Sequence, residues 1–368
     1  MLNFGMVKNV LITLFLFFNK FGFHGQISEG FNIRLKSGFL AAHRGVLSHL
    51  PKQTALATEL SYYRRLKDGK SWARHFNYPT VGAALFFGSV GNNEVLGRYT
   101  ALYGFADIPI LLKKHFEINW RLGSGLGYTN RVYDPILNPK NMAISSHINA
   151  MIVMGIKSLY RFNQNSISLG LDITHFSNCA FKIPNYGINM PYLSIGYSRN
   201  VLEARKSSVR KQIREFKKMY YGFQGVFSLN EINPHGSRKY PVFATGVFGR
   251  YYFQPKAGVE MGLDLISKQS IFAFEPQVDK TQFSILQLGV YAGYLLPLNH
   301  FHFFFGMGAY VRDRYKPNGP LYHRIGFRYQ FKSGLYGNIT LKTHWAKADY
   351  MEAGIGYLLN FNKRTSHE

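Results

Sequence analysis

Apolar and polar residues alternate along most of the chain, in segments of about ten residues or more that turn-like clusters separate. In the segment Ser166–Asn178 the polar set is Ser166, Ser168, Gly170, Asp172 and Thr174, and the apolar set is Ile167, Leu169, Leu171 and Ile173. Successive side chains of a strand point to opposite faces, so this spacing predicts a strand with one apolar and one polar face. Residues 144–160 and 193–198 repeat it. No stretch of helical periodicity is long enough to cover a sheet, and the predicted fold class is all-β.

Alternation alone also fits a secreted soluble β protein. Three features favour a transmembrane antiparallel β-barrel of the outer membrane: the segment length, the small polar residues on the second face, and the aromatic residues near segment ends. The candidate strands number about sixteen, and we predict about 12–16, eight of them before Val201 and the rest after Tyr220. The last candidate, residues 351–361, resembles the terminal aromatic strand of outer-membrane proteins through Tyr357, Leu359 and Phe361.

The N-terminus predicts a signal peptide at residues 1–25. Its apolar run, Val10–Phe18, follows Lys8 and is too short to span a bilayer as a helix. An uncleaved anchor or a buried strand are the alternatives. Residues 26–368 then form the barrel, divided into residues 26–202, a basic linker at 203–218, and further strands at 219–368. If the N-terminus starts in the periplasm and the strand ending at Asn178 is the seventh, Asn178 lies at the outer surface. The linker is then periplasmic, as a solvated helix in preference to an anionic-lipid or protein contact.

Composition narrows the function. Cys179 is the single cysteine, so neither an intramolecular disulfide nor a lipoprotein anchor is expected. The net charge of +25 comes with no nucleic-acid module, which favours phosphorylated lipid over nucleic acid as a neighbour. Motifs for metals, nucleotides or a nucleophile elbow are absent from the sequence, and we expect no metal and no cofactor. We assign no chemistry to the turn-rich loop 133–141, and we interpret five scattered histidines as lumen or loop residues: His43, His49, His147, His300 and His302.

The apolar stripe of residues 167–173 continues into His175 and Ser177, which predicts that both face outward at the level of the lipid headgroups. A histidine beside a serine suits a general base and a nucleophile that attacks a lipid ester. Asn178 and backbone N–H groups of the following turn are candidate oxyanion donors. The alternative is a polar strand end entering a loop. Cys179 is a rival nucleophile, or a small residue that fills the turn.

The segment HFSN followed by PNYGIN resembles the motif of the outer-membrane lipid A 3-O-deacylase (PagL-type) family. The upstream stretch GLGYTNRVYDPILNPKNMAISSHINA is similar to proteins usually labelled acyloxyacyl hydrolase from Bacteroidetes-like bacteria. The resemblance implies a serine hydrolase that removes an ester-linked acyl chain from lipid A in the outer leaflet. It implies His175 as base, Ser177 as nucleophile and Asn178 as oxyanion contributor, with Asn185 and Gly187 shaping the turn. It transfers no functional residue to the half beyond Val201.

One position departs from that family. Its characterised members place a glutamate fourteen residues after the histidine, where this chain has Asn189. An amide oxygen can accept the imidazole N–H and fix its tautomer, but it stabilises imidazolium less than a carboxylate does. Asp172 is the nearest acid, and its parity places it on the lumen face.

The sequence therefore predicts a carboxylic ester hydrolase of the bacterial outer membrane, with lipid A or lipopolysaccharide as substrate. Two alternatives stay open. One is a non-catalytic pore or transport barrel that retains the motif, favoured by Asn189 and by an extra half that would widen the barrel. The other is a structural or adhesive barrel.

Overall fold

The computed structural model describes residues 27–66, 71–202, 218–275, 277, 279–315, 318–345 and 347–359. Within them the first eight strands are β1 (Ile27–Gly38), β2 (Ala55–Leu66), β3 (Thr80–Ser89), β4 (Arg98–Leu112), β5 (Phe116–Thr129), β6 (Ile148–Phe162), β7 (Asn165–Ser177) and β8 (Ile188–Leu202). The next eight are β9 (Lys218–Asn230), β10 (Tyr240–Gln254), β11 (Ala257–Lys268), β12 (Leu286–Leu298), β13 (Phe301–Arg312), β14 (Leu321–Gln330), β15 (Leu335–His344) and β16 (Lys347–Leu359). The helices are short: a 3-10 turn at Gly45–Leu47, α1 at Ser71–His75 and α2 at Ile271–Phe274.

The sixteen strands of the described residues close two separate antiparallel barrels of eight. In barrel 1 (β1–β8) each strand pairs with the next, and β1 pairs with β8 to close the ring. In barrel 2 (β9–β16) β9 pairs with β16 in the same way. The all-β prediction and the strand count are confirmed. The sixteen strands do not form the single wider barrel on which the pore alternative rested. The interior of an eight-stranded barrel is narrow enough for side chains to fill it.

The faces of the strands follow the predicted alternation. On β7, Ile173 is 55% exposed and its neighbour Thr174 is fully buried. Leu193 and Ile195 of β8 are likewise exposed, whereas Ser194 between them is buried. At the chain end, Tyr357 and Leu359 lie on the outer face of β16, and Phe361 lies outside the described residues. Each barrel therefore has an apolar outer surface and a polar interior.

A buried carboxylate organises the interior of barrel 1. Glu59 is fully buried, and its Oε1 accepts a 2.8 Å hydrogen bond from Nη1 of Arg121. The hydroxyl of Tyr103 donates to the other oxygen at 2.5 Å, and Nη1 of Arg34 lies 3.5 Å from Oε1. Because a buried charge is costly unless it is paired, these partners explain how a carboxylate resides there.

Barrel 2 has an equivalent arrangement around Glu260, which is also fully buried. Nη2 of Arg250 and Nη1 of Arg328 approach its Oε2 at 2.8 and 2.6 Å, and the Tyr291 hydroxyl donates to Oε1 at 3.0 Å. Ion pairs and hydrogen bonds thus occupy part of the interior of each barrel, and clusters of buried aromatic and aliphatic side chains occupy another part.

No helix among the described residues is long and apolar enough to cross a membrane. The predicted signal peptide at 1–25 lies outside the described residues, and so does the basic linker at 203–218 except for Lys218, the first residue of β9. The strand that ends beside Asn178 is the seventh of the described strands, which meets the condition set in the sequence analysis.

Candidate active site

The site lies where β7 ends, and a buried aromatic residue fixes that end. Phe176 is fully buried in the barrel 1 interior, where its ring lies 4.7 Å from that of Tyr99 and 5.8 Å from that of Phe86. Since neighbouring residues of a strand point to opposite faces, anchoring Phe176 inward directs His175 and Ser177 outward together. The apolar alternation of β7 therefore sets the direction of both candidate catalytic side chains.

His175 and Asn189 are direct cross-strand partners. β7 and β8 pair antiparallel with His175 opposite Asn189 and Phe176 opposite Ile188. Nδ1 of His175 lies 2.6 Å from Oδ1 of Asn189, so the imidazole N–H donates to the amide oxygen. The spacing of fourteen residues is thus a consequence of the register, because it places the two side chains side by side on one face.

A second histidine completes the arrangement. Nδ2 of Asn189 donates a 3.0 Å hydrogen bond to Nδ1 of His43, in the loop between β1 and β2. Sequence reasoning interpreted His43 only as a lumen or loop residue; it is a loop residue, and it contacts the site. The two residues lie 146 positions apart, and no local motif signals such a contact.

Gly187 leaves room for the Cε1–Nε2 edge of the His175 imidazole. It has φ +77°, and a Cβ placed on it would lie 2.8 Å from Cε1 and 3.5 Å from Nε2 of His175. Its N–H donates to the carbonyl of Ala143, which ties this turn to the loop between β5 and β6. A side chain here would press on the ring beside Nε2, the nitrogen that faces away from Asn189.

Ser177 is the last residue of β7 and lies opposite Ala150 of β6. It is only 5% exposed, so it is more enclosed than the sequence predicted. Ser177 and His175 share a face, two residues apart, and in the described residues no hydrogen bond joins their side chains. Catalytic hydrogen bonds are often long before substrate binds and tighten in the reacting complex.

Asn178 and Asn185 hold the turn after the strand. The backbone N–H of Asn178 donates to Oδ1 of Asn185 at 3.0 Å, and Nδ2 of Asn178 donates to Oγ of Ser145 at 3.1 Å. The first bond fixes the orientation of the Asn185 amide, because an N–H can be accepted only by the oxygen. Nδ2 of Asn185 is then a buried donor without a partner among the described residues.

Two other residues were considered from the sequence, Asp172 and Cys179. Asp172 faces the interior as predicted, where one carboxylate oxygen lies 2.7 Å from Nζ of Lys36. Cys179 is buried in the turn after Ser177, with φ +56°. Asp172 is therefore engaged by a lumen lysine, away from the outward face that carries His175.

The comparisons with known proteins match both halves of the chain. Residues 57–198 match the model for "Lipid A 3-O-deacylase (PagL)", and residues 215–363 match the model for "Acyloxyacyl hydrolase, C-terminal domain". The chain belongs to the lipid A 3-O-deacylase (PagL) family. The first of these matches includes the whole of β7 and Asn189, so the family resemblance read from the HFSN segment is confirmed.

The other comparisons add no argument about function. Among curated proteins none matches the chain. One similar solved structure is a mutant of Rh. blastica porin, with 10% identity, 90% of this chain and 100% of that chain covered, and a TM-score of 0.18. A triple mutant of the Rhodopseudomonas blastica porin has 12% identity, the same coverage and a TM-score of 0.19. Scores this low do not describe a shared arrangement of strands, and the lipid A 3-O-deacylase assignment rests on the family models.

Proposed function

We propose that this lipid A 3-O-deacylase family member is a serine esterase of the bacterial outer membrane that hydrolyses an ester-linked acyl chain of lipid A. The observation that carries the proposal is the 2.6 Å hydrogen bond from His175 to Asn189 on the same outward face as Ser177. A nucleophile, a base and a residue that orients the base are the parts that acyl transfer requires.

The hydrogen bond to Asn189 holds the proton of the neutral imidazole on Nδ1 and leaves the Nε2 lone pair available. Nε2 takes the proton of Ser177 as its Oγ attacks the ester carbonyl, and returns it to the departing sugar alcohol. An acyl-enzyme remains on Ser177. Water, deprotonated in turn by His175, then attacks the acyl-enzyme, and His175 returns the proton to Oγ of Ser177 as the free fatty acid departs.

The oxyanion is stabilised at the turn after β7. Nδ2 of Asn185 is a buried donor with no partner in the described part of the chain, so it is available to a developing negative charge. The N–H of Asn178 orients that amide through Oδ1. Asn178, expected from the sequence as an oxyanion contributor, thus acts in this mechanism by positioning Asn185. A donor that is already oriented needs no reorganisation when charge develops.

Lipid reaches the site along the outer surface of barrel 1. Below the strand end, an apolar groove is lined by residues that include Met154, Leu171, Ile173, Leu193 and Phe39. An acyl chain in this groove would keep its apolar contacts while its ester lies at the level of Ser177. Lipopolysaccharide in the same leaflet is then the substrate, and neither a metal nor a cofactor enters the reaction.

The deciding experiment is mass spectrometry of lipid A from cells that express the full chain. We expect the mass of one acyl chain to be lost with the wild type and retained with Ser177→Ala. Cys179→Ala is the matched control, because it removes the neighbouring rival nucleophile and should deacylate normally. Deacylation by Ser177→Ala, or its loss in Cys179→Ala alone, would contradict the assignment of the nucleophile. Release of fatty acid from phospholipid vesicles but not from lipid A would contradict the substrate.

A further inference from the structure

Asn189 is hydrogen-bonded at both ends of its amide. Its oxygen accepts from Nδ1 of His175 at 2.6 Å, and its nitrogen donates to Nδ1 of His43 at 3.0 Å. The second contact plays no part in the mechanism above. It joins the site to a histidine from a different loop.

The two ends of an amide are nearly equal in shape and opposite in hydrogen bonding. If Asn189 turned over, Nδ2 would face His175, and the imidazole would have to accept at Nδ1 and carry its proton on Nε2. That tautomer cannot take a proton from Ser177. A carboxylate has no such problem, because both of its oxygens accept. An asparagine in the orienting position therefore needs something to select its orientation.

The backbone brings His43 to this amide. Beyond β1 the chain continues along β8, where the N–H of Phe39 donates to the carbonyl of Pro191 at 3.3 Å. Two residues further on, the N–H of Ala41 donates to the carbonyl of Asn189 at 2.9 Å. His43 lies two residues beyond Ala41, so this backbone bond keeps it close to Asn189. The ring of His43 is exposed, and within the described part of the chain it is hydrogen-bonded to Asn189.

We propose that His43 is a positioning residue that selects the productive orientation of Asn189 and thereby the reactive tautomer of His175. With the proton of His43 on Nε2, its Nδ1 is an acceptor and can bond only the amide nitrogen, so Oδ1 is left facing His175. His43 thus compensates for the replacement of an orienting carboxylate by an amide. The role rests on the function proposed above, since it acts through His175.

The test combines variants of His43 and Asn189, with turnover of lipid A by the full-length protein in outer-membrane preparations as the measurement. We expect His43→Ala to lower kcat on the order of tenfold with KM unchanged, because the amide then samples both orientations. His43→Asn should retain activity, since its side-chain oxygen can occupy the position of Nδ1. In His43→Ala with Asn189→Glu activity should return, because a carboxylate needs no selection.

Two controls separate this proposal from others. His49→Ala alters a histidine of the same loop, whose Nε2 contacts the carbonyl of Lys140, and should leave kcat unchanged. Loss of activity in His43→Ala that Asn189→Glu does not restore would assign His43 a role in loop structure and overturn the proposal, as would full activity in His43→Ala. Retained activity in Ser177→Ala would instead overturn the proposed function, so the two failures are distinguishable.

Discussion

Barrel 1 and barrel 2 share strand number, pairing order and interior chemistry, and they differ in what the strands carry where they end. In each interior a fully buried glutamate is held by arginines and a tyrosine, Glu59 in the first and Glu260 in the second. The apolar outer stripes are also alike. Barrel 1 alone, among the described residues, continues such a stripe into a histidine and a serine.

The difference between the barrels is visible in the contacts of one histidine from each, His175 and His344. Whereas His175 lies beside the amide of Asn189, His344 of barrel 2 lies beside a carboxylate, with Nε2 3.2 Å from Oδ2 of Asp349. Its Nδ1 is occupied by the carbonyl of Leu321, at 2.9 Å, and the side chain is buried. Both ring nitrogens are therefore engaged within the barrel. His175 has Nδ1 engaged, whereas its Nε2 edge is left uncovered by Gly187. A histidine–acid pair alone is thus a structural feature, and function requires a ring nitrogen that a nucleophile can reach.

The largest expected effect is the difference in deacylation rate between two single variants, His175→Ala and His344→Ala. We expect the first to reduce deacylation by at least about 10⁴-fold, because no other group removes the proton of Ser177. The second should leave the rate unchanged and lower the stability of barrel 2 by about 1–3 kcal/mol through lost hydrogen bonds. Turnover of lipid A and urea titration of the same preparations measure the two quantities.

Equal loss of turnover in both variants would break the distinction between the barrels. It would mean that barrel 2 takes part in the reaction. A His175→Ala protein that melts early and also loses turnover would leave its role open, so His175→Gln, which retains size and polarity, is the companion variant.

The next largest effect concerns what the barrels share. Glu59→Gln and Glu260→Gln each remove a buried charge and take the ion-pair partner from a buried arginine, Arg34 in barrel 1 and Arg250 in barrel 2, which should cost about 3–5 kcal/mol in either case. We expect Glu59→Gln to lower the urea midpoint for loss of deacylation, since it destabilises the barrel that carries the site. Glu260→Gln should shift the urea transition that is followed by the fluorescence of Trp345, which lies in barrel 2. The urea midpoint for loss of deacylation should stay unchanged in this variant. Coincident shifts in both variants would show that the barrels unfold as one unit.

The alternation of apolar and polar residues determines how much of the fold could be predicted from the sequence. Alternation records which face of a strand is buried, so the sixteen strands, the outward stripe of β7 and the inward Asp172 were predictable. It does not record which strand meets β1. The closure of two rings therefore could not be derived, because a pairing of β1 with β8 and a single wide ring place the same residues inside and outside.

The candidate site likewise contains residues that could be predicted from the sequence and residues that could not. His175, Ser177 and Asn189 lie within one hairpin, where the register converts sequence spacing into contact. His43 reaches Asn189 only because the chain after β1 runs along β8, a closure contact between distant segments. The unpaired Nδ2 of Asn185 was equally hidden, since its availability depends on which atom the N–H of Asn178 selects.

That donor gives the third prediction. Asn185→Ala should lower kcat by about 10²–10³-fold with little change in KM, because it removes a donor that acts on the charge developed in the transition state. The barrel 2 counterpart is Asn338→Ala. Oδ1 of Asn338 accepts from Nε of Arg328 inside the barrel, so its removal should affect stability and not turnover. A rise in KM for Asn185→Ala with kcat unchanged would reassign Asn185 to substrate binding.

The smallest effect separates backbone strain from contact with the catalytic ring. Gly187 and Gly236 both have positive φ, +77° and +81°, so alanine at either should cost about 1–2 kcal/mol of stability. A Cβ at Gly236, in the loop after β9, meets nothing within 4 Å, whereas one at Gly187 meets Cε1 of His175 at 2.8 Å. Gly187→Ala should therefore also lower kcat about tenfold, since the ring must shift away from Ser177. If the two variants lose equal stability and neither loses turnover, the glycine serves the turn alone, and the open edge of His175 is not what distinguishes barrel 1.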